Sequence, residues 1–127
     1  MNYIPPPNWQ IYYEQIWDLA RQIPYGKVAT YGQLGQMLAA PKDITPEDYK
    51  IFAPRWVGDA MADCPQDIPW QRVINSQGKI SQRYDAEKQK LLLENEGLVF
   101  VKDKLDLKLY QWGNLEQEDA PEQASLF

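Results

Sequence analysis

Histidine is absent from the 127 residues. That removes the commonest general base, the usual activator of serine and cysteine nucleophiles, and the commonest metal ligand. Cysteine occurs once, at Cys64, so no internal disulfide can form, and a zinc site built on His and Cys is ruled out. A single thiol fits a reducing compartment, and a cytoplasmic location is expected. No apolar run reaches the length of a membrane span, and the N-terminus lacks the charged-then-apolar pattern of a secretory leader. Basic residues are outnumbered 13 to 18, for a net charge of −5. That argues against binding a polyanion through a broad basic face. Four of the acids, Glu116, Glu118, Asp119 and Glu122, lie close together near the C-terminus; the other 14 nearly balance the 13 bases. No glycine-rich phosphate loop and no internal repeat is present, and no cofactor is implied.

What is present is one domain's worth of chain, 44% hydrophobic, with eight Tyr, five Trp and three Phe. Residues 1–8 end in Pro5-Pro6-Pro7 and read as an extended arm, with Asn8 placed to cap a helix. Tyr12, Ile16, Leu19, Ala20 and Ile23 then recur at helical spacing, and Pro24 stops that helix near Ile23. Thr30 and Gln33 form a T-x-x-Q capping box before a short second helix, whose apolar stripe is Leu34, Met37 and Leu38. Residues 41–53 are polar and read as a loop, with at most one helical turn after Thr45-Pro46. Pro54 suits the first position of a third helix running to about Ala62, with Val57, Ala60 and Met61 facing inward. Asn75-Ser76-Gln77-Gly78 is a turn flanked by Val73, Ile74 and Ile80, which suggests a small β-wing. Asp85 is placed to cap a fourth helix that ends before Gly97. Alternation at Leu105, Leu107 and Leu109 suggests a terminal hairpin turning at Lys102-Asp103-Lys104. The expected class is mainly α: a winged helix-turn-helix on a three-helix bundle, with a small β-wing and a C-terminal helix plus hairpin. The domain spans residues 9–112, and the acidic stretch 113–127 is expected to be disordered. The pattern alone equally allows a small helical domain with no nucleic-acid role.

The segment Ile68-Pro69-Trp70-Gln71-Arg72-Val73-Ile74 narrows the choice. It resembles the Pro-Cys-His-Arg-Val signature of the O6-alkylguanine-DNA alkyltransferases. The stretch "IPYGKVATYGQL" resembles that family's start of domain and second helix, and Arg55-Trp56-Val57-Gly58-Asp59-Ala60-Met61 resembles its recognition helix. The resemblance covers roughly residues 9–112. Trp70 stands in place of the alkyl-accepting cysteine, and Gln71 in place of its activating histidine. That pattern is similar to the alkyltransferase-like proteins, as are "PWQRVINSQGKIS" with Arg83 and the closing "LDLKLYQWG".

The resemblance implies a protein that is not an enzyme. It would bind O6-alkylguanine in double-stranded DNA from the minor groove, flip the nucleotide, transfer no alkyl group, and flag the lesion for nucleotide excision repair proteins. It would act as a monomer, with no membrane and no metal. Tyr31 matches the tyrosine that pushes on the backbone of the flipped nucleotide. Arg55 matches the finger that fills the vacated stack. Trp70 and Arg83 would line the lesion pocket. Gly58 would face the minor groove, and Trp56, where that family usually has a small residue, would either wedge against the bases there or be buried. Arg72 reads as structural, and Glu96 as a local hydrogen-bonding partner. The chemistry agrees: dealkylation of guanine O6 needs a thiolate, and an indole supplies none. Cys64 lies between Asp63 and Asp67, which disfavour its ionisation. Three alternatives remain: a residual alkyltransferase using Cys64, a winged-helix regulator reading undamaged sequence, and a protein-interaction module that has lost DNA binding.

Overall fold

The structure is a computed structural model and describes residues 5–113. The expectation of disorder for 113–127 therefore lies, apart from Gly113, outside the described residues. The first helix, α1 (Trp9–Arg21), buries Tyr12, Ile16 and Ala20, a spacing that keeps one face toward the core. Asn8 does not cap it through its side chain; it enters the helix in a left-handed conformation, φ 52°.

Strand β1 (Ala29–Thr30) leads directly into α2 (Tyr31–Gln36). The capping box forms as expected: Gln33 N–H donates to Thr30 Oγ1 at 3.0 Å, and Thr30 N–H donates to Gln33 Oε1 at 3.3 Å. Of the expected stripe Leu34 is buried, whereas Met37 is 46% exposed because α2 has ended before it.

Helix α3 (Pro46–Ala62) starts eight residues before the expected position. Thr45 Oγ1 accepts from Asp48 N–H at 3.0 Å, Pro46 takes the first helical position, and Glu47 and Asp48 complement the helix dipole. These signals together outweigh Pro54, which sits inside the helix. The buried stripe is Tyr49, Ala53, Trp56, Val57, Ala60 and Met61. Gly35 lets α2 lie against this stripe: a Cβ there would come within 2.7 Å of the Ala53 Cβ.

After a 3-10 turn at Trp70–Arg72, strand β2 (Val73–Ile74) pairs with β1 in parallel, Ala29 with Val73 and Thr30 with Ile74. The expected wing is accordingly a turn and not a ladder. Asn75 N–H donates to the Lys79 carbonyl at 3.1 Å, and the Gly78 carbonyl accepts from Leu105 N–H at 2.9 Å. Asp85 leads into α4 (Ala86–Asn95) without a side-chain cap. The terminal hairpin is reduced to one antiparallel bridge, Val101 with Lys104. Leu107 and Leu109 instead lie on α5 (Leu107–Tyr110), whose N-cap Asp106 accepts from Lys108 N–H at 3.0 Å.

Two apolar clusters result. The larger joins α1, α2 and α3, with Trp56 at its centre. The smaller, around Val28, Ile74, Leu93, Leu98 and Leu105, seats the two strands against α4. Trp112 N–H donates to the Val28 carbonyl at 2.7 Å, which closes the chain back onto β1. The mainly helical class expected from the sequence is the one observed. No helix among the described residues is long and apolar enough to cross a membrane.

Candidate functional site

The signature segment is held from behind by α4 and the residues just after it. Glu96, whose side chain is only 5% exposed, is the hub. Its Oε1 accepts from Gly26 N–H at 2.8 Å and its Oε2 from Gln71 Nε2 at 2.8 Å. Arg72 Nε donates to both carboxylate oxygens at 3.1 Å. The Arg72 guanidinium also reaches the Ile23 carbonyl at 2.9 Å and lies over the Tyr25 ring. Arg72 and Glu96 thus hold the loop, as their sequence context suggested.

Gln89 completes the clamp and was not picked out from sequence. It is buried, and its Nε2 donates to the Val73 carbonyl at 3.0 Å and the Gln71 carbonyl at 3.2 Å. The signal that marks it is a glutamine four residues before Leu93, on the buried face of an otherwise charged helix.

Trp70 opens the 3-10 turn, half-buried, with its ring packed on the larger cluster. Tyr31 is the first residue of α2 and is half-buried on the same cluster. Beside it, Gly32 approaches Pro54, so the start of α2 lies against the turn of α3 that carries Arg55. Arg55 is 65% exposed, and its Nε lies 3.6 Å from Asp59 Oδ2. Gly58, one turn on from Arg55, has nothing within 4 Å of where a Cβ would stand. Tyr31, Arg55 and Gly58 therefore belong to one α2–α3 unit.

Trp56 is a correction. It is completely buried, stacked on Phe52 at 5.6 Å and edge-on to Tyr12 at 5.7 Å, so it contacts no groove. A helix starting at Pro54 would place it in an exposed first turn. The true start at Pro46 puts it in mid-helix on the stripe with Tyr49, Ala53 and Ala60.

Arg83 is held at its own loop, its Nε donating to Asp85 Oδ1 at 2.8 Å. Arg83 also lies close enough to Cys64 to favour a thiolate. Burial outweighs it, and with Asp63 and Asp67 adding, the Cys64 thiol is pushed up. Cys64 packs as a small residue against the larger cluster. Among the described residues, no group of three or more acids and cysteines gathers as metal ligands.

Five open surface cavities measure about 360–600 Å³. None of these five has Tyr31, Arg55, Trp70 or Arg83 in its lining. A hollow beside Trp70 opening toward Arg55 and Tyr31, which the sequence reading requires, is not one of them.

This arrangement of α1–α3, a parallel strand pair and a clamped signature turn defines a class: the helical, winged-helix type of domain found in DNA alkyl-lesion proteins. Residues 11–98 match the family described as 6-O-methylguanine DNA methyltransferase, DNA binding domain. The chain belongs to that family, on its alkyltransferase-like branch. It is 42% identical over 102 residues to a DNA base-flipping protein of Vibrio parahaemolyticus, spanning 77% of this chain and 92% of the relative. It is 36% identical over 111 residues to alkyltransferase-like protein 1 of Schizosaccharomyces pombe, spanning 80% and 94%. The fold is similar to the crystal structure of the S. pombe protein in complex with damaged DNA containing O6-carboxymethylguanine. There the TM-score is 0.66 at 34% identity, covering 81% of this chain and 95% of that one.

Proposed function

We propose that this protein recognises O6-alkylated guanine in duplex DNA and holds the extruded nucleotide without removing its alkyl group. The observation that carries the reading is Trp70 in the signature turn with Gln71 beside it; on the resemblance these two stand for the alkyl-accepting cysteine and its histidine. The one thiol in the chain, Cys64, is disfavoured as a thiolate. The relatives support the binding half: one is named a base-flipping protein, and another was solved on DNA carrying an O6-alkylated guanine.

In this reading α3 approaches the minor groove, and Gly58 leaves room for the backbone. Tyr31, at the start of α2, presses on the phosphate of the extruded nucleotide. Arg55 enters the vacated stack; extrusion costs a few kcal/mol, and a planar, charged side chain stacked in the gap offsets part of it. The half-buried ring of Trp70 gives the alkyl group an apolar wall, and Arg83 lies beside the base. The unit 9–112 acts as a monomer in a reducing compartment, and the held lesion is passed to nucleotide excision repair.

The test is a fluorescence titration of matched duplexes with guanine or O6-methylguanine, with mass spectrometry of the recovered protein. Tighter binding to the lesion duplex and an unmodified protein are expected. Equal affinities refute lesion recognition, and a retained methyl group refutes the absence of transfer.

A further inference from the structure

The largest of the five cavities is not accounted for by this reading. It is an open groove of about 600 Å³ along α5, with Val99, Val101, Leu107, Leu109 and Tyr110 in its lining. Val99 is 61% exposed, Val101 66% and Leu109 42%. These three exposed apolar side chains share one groove and form a short apolar strip.

The charge around the strip is positive. Lys104 and Lys108 line it, and Lys27 Nζ rests on the Leu109 carbonyl at 3.3 Å, at the groove's edge. The one acid in the lining, Asp106, caps α5. Residues 114–127, separated from Tyr110 by three residues, have the complementary character. They carry Glu116, Glu118, Asp119 and Glu122, no base, and the apolar pair Leu126-Phe127.

We propose that this groove seats the chain's own residues 114–127, with Leu126 and Phe127 on the apolar strip and the four acids facing the lysines. Reach is ample. Twelve or so residues of flexible chain span about 20 Å on average and over 40 Å when extended. Tethering also supplies an effective concentration in the millimolar range, so a contact too weak to hold a free peptide still closes. The inference is independent of lesion binding. Its consequence is that four of the negative charges are held at α5 and are not free to sweep the α2–α3 surface.

The experiment uses the full chain. A nitroxide is placed at Ser125→Cys in a Cys64→Ser background, and the methyl resonances of Val99, Val101, Leu107 and Leu109 are followed. Strong attenuation of these over the core methyls of Ile16 and Leu34 is expected, unchanged on tenfold dilution. Lys104→Gln with Lys108→Gln should reduce it at least twofold. A second measurement leaves Cys64 intact: Leu126→Ala with Phe127→Ala should shift the same groove methyls and no others. Absent or evenly spread attenuation overturns the proposal. So does attenuation that fades on dilution or passes from labelled to unlabelled chains, which would make a second copy the occupant. Groove shifts that appear only when DNA is added would make DNA the occupant, and overturn it equally.

Discussion

Gln71 Nε2 donates to Glu96 Oε2 at 2.8 Å, on the same carboxylate that Arg72 grips at 3.1 Å. The two contacts differ in weight. Arg72 and Glu96 form a largely buried ion pair, with side chains 16% and 5% exposed. Glu96→Ala leaves a buried guanidinium without its counter-charge, at a cost of about 3–5 kcal/mol. Gln71→Ala removes one hydrogen bond to a carboxylate, at about 1.5–3 kcal/mol or less. Urea unfolding should rank them in that order, with Glu96→Ala lowering the melting temperature by roughly 10 °C or more. Equal losses would show that the guanidinium finds another partner and that Glu96 is not the hub.

The same geometry bears on the proposed absence of transfer. A cysteine at position 70 is not enough, because a thiol near neutral pH needs a base or a positive neighbour to ionise. Trp70→Cys alone should accept methyl groups slowly from an O6-methylguanine duplex. Adding Gln71→His gives Glu96 an imidazole to orient, and the double variant should react about a hundredfold faster or more, the usual range for a positioned base. Mass spectrometry of the protein over time reads both rates. If the single variant matches the double, the Gln71 replacement has no bearing on catalysis.

Local signals in the sequence were legible where they act over a few residues. Thr30 and Gln33 sit three apart and form their box; Arg72 and Glu96 take the supporting roles their positions suggest. Pro54 suits a helix start, yet the cap at Thr45, Pro46, Glu47 and Asp48 is the stronger signal and sets the start of α3. Trp56, matched to the groove through the resemblance of its segment, falls on the buried stripe once the helix starts at Pro46. Leu105, Leu107 and Leu109 alternate as a strand would, yet two of them fit one turn of helix once Asp106 supplies a cap. The pairing of Val73-Ile74 with Ala29-Thr30 joins segments more than forty residues apart, and two-residue strands have too little periodicity to announce a partner. The partner of Arg83, Asp85, was hidden for a similar reason: an acid before a helix reads first as a cap.

Arg55 and Asp59 lie one turn apart on the exposed side of α3, 3.6 Å between Nε and Oδ2. Exposed helical pairs of this kind are worth about 0.3–0.5 kcal/mol, so the pair itself adds little to stability. Their effects on DNA should be opposite. Arg55→Ala is expected to weaken binding to an O6-methylguanine duplex at least tenfold, a change of about 1.4 kcal/mol, with little effect on the undamaged duplex. Asp59→Asn removes a negative charge from the same face and should tighten both duplexes about two- to fivefold at low salt, less at high salt. Unchanged affinity in both variants would remove α3 from the interface.

The last expectation concerns alkaline pH and the contact between α1 and α3. Tyr49 O–H donates to the Gly35 carbonyl at 2.6 Å, so in the 2.9 Å contact between the two hydroxyls it is Tyr12 that donates to Tyr49. Burial raises the ionisation of both phenols above the ordinary value, that of Tyr12 very strongly. The unfolded chain releases these protons near pH 10 while the folded chain keeps them. Stability is therefore fully present below about pH 10 and falls as pH rises above it, by up to about 1.4 kcal/mol per pH unit for each phenol. Urea midpoints measured from about pH 8 to 11 should show this decline. Tyr12→Phe should flatten it by one phenol's share. Tyr49→Phe should also cost about 1–3 kcal/mol at neutral pH, because the buried Gly35 carbonyl and the Tyr12 hydroxyl both lose a partner. A wild-type midpoint that stays level through pH 11 would mean that water reaches these hydroxyls and that the contact between the helices is looser than the bond lengths require.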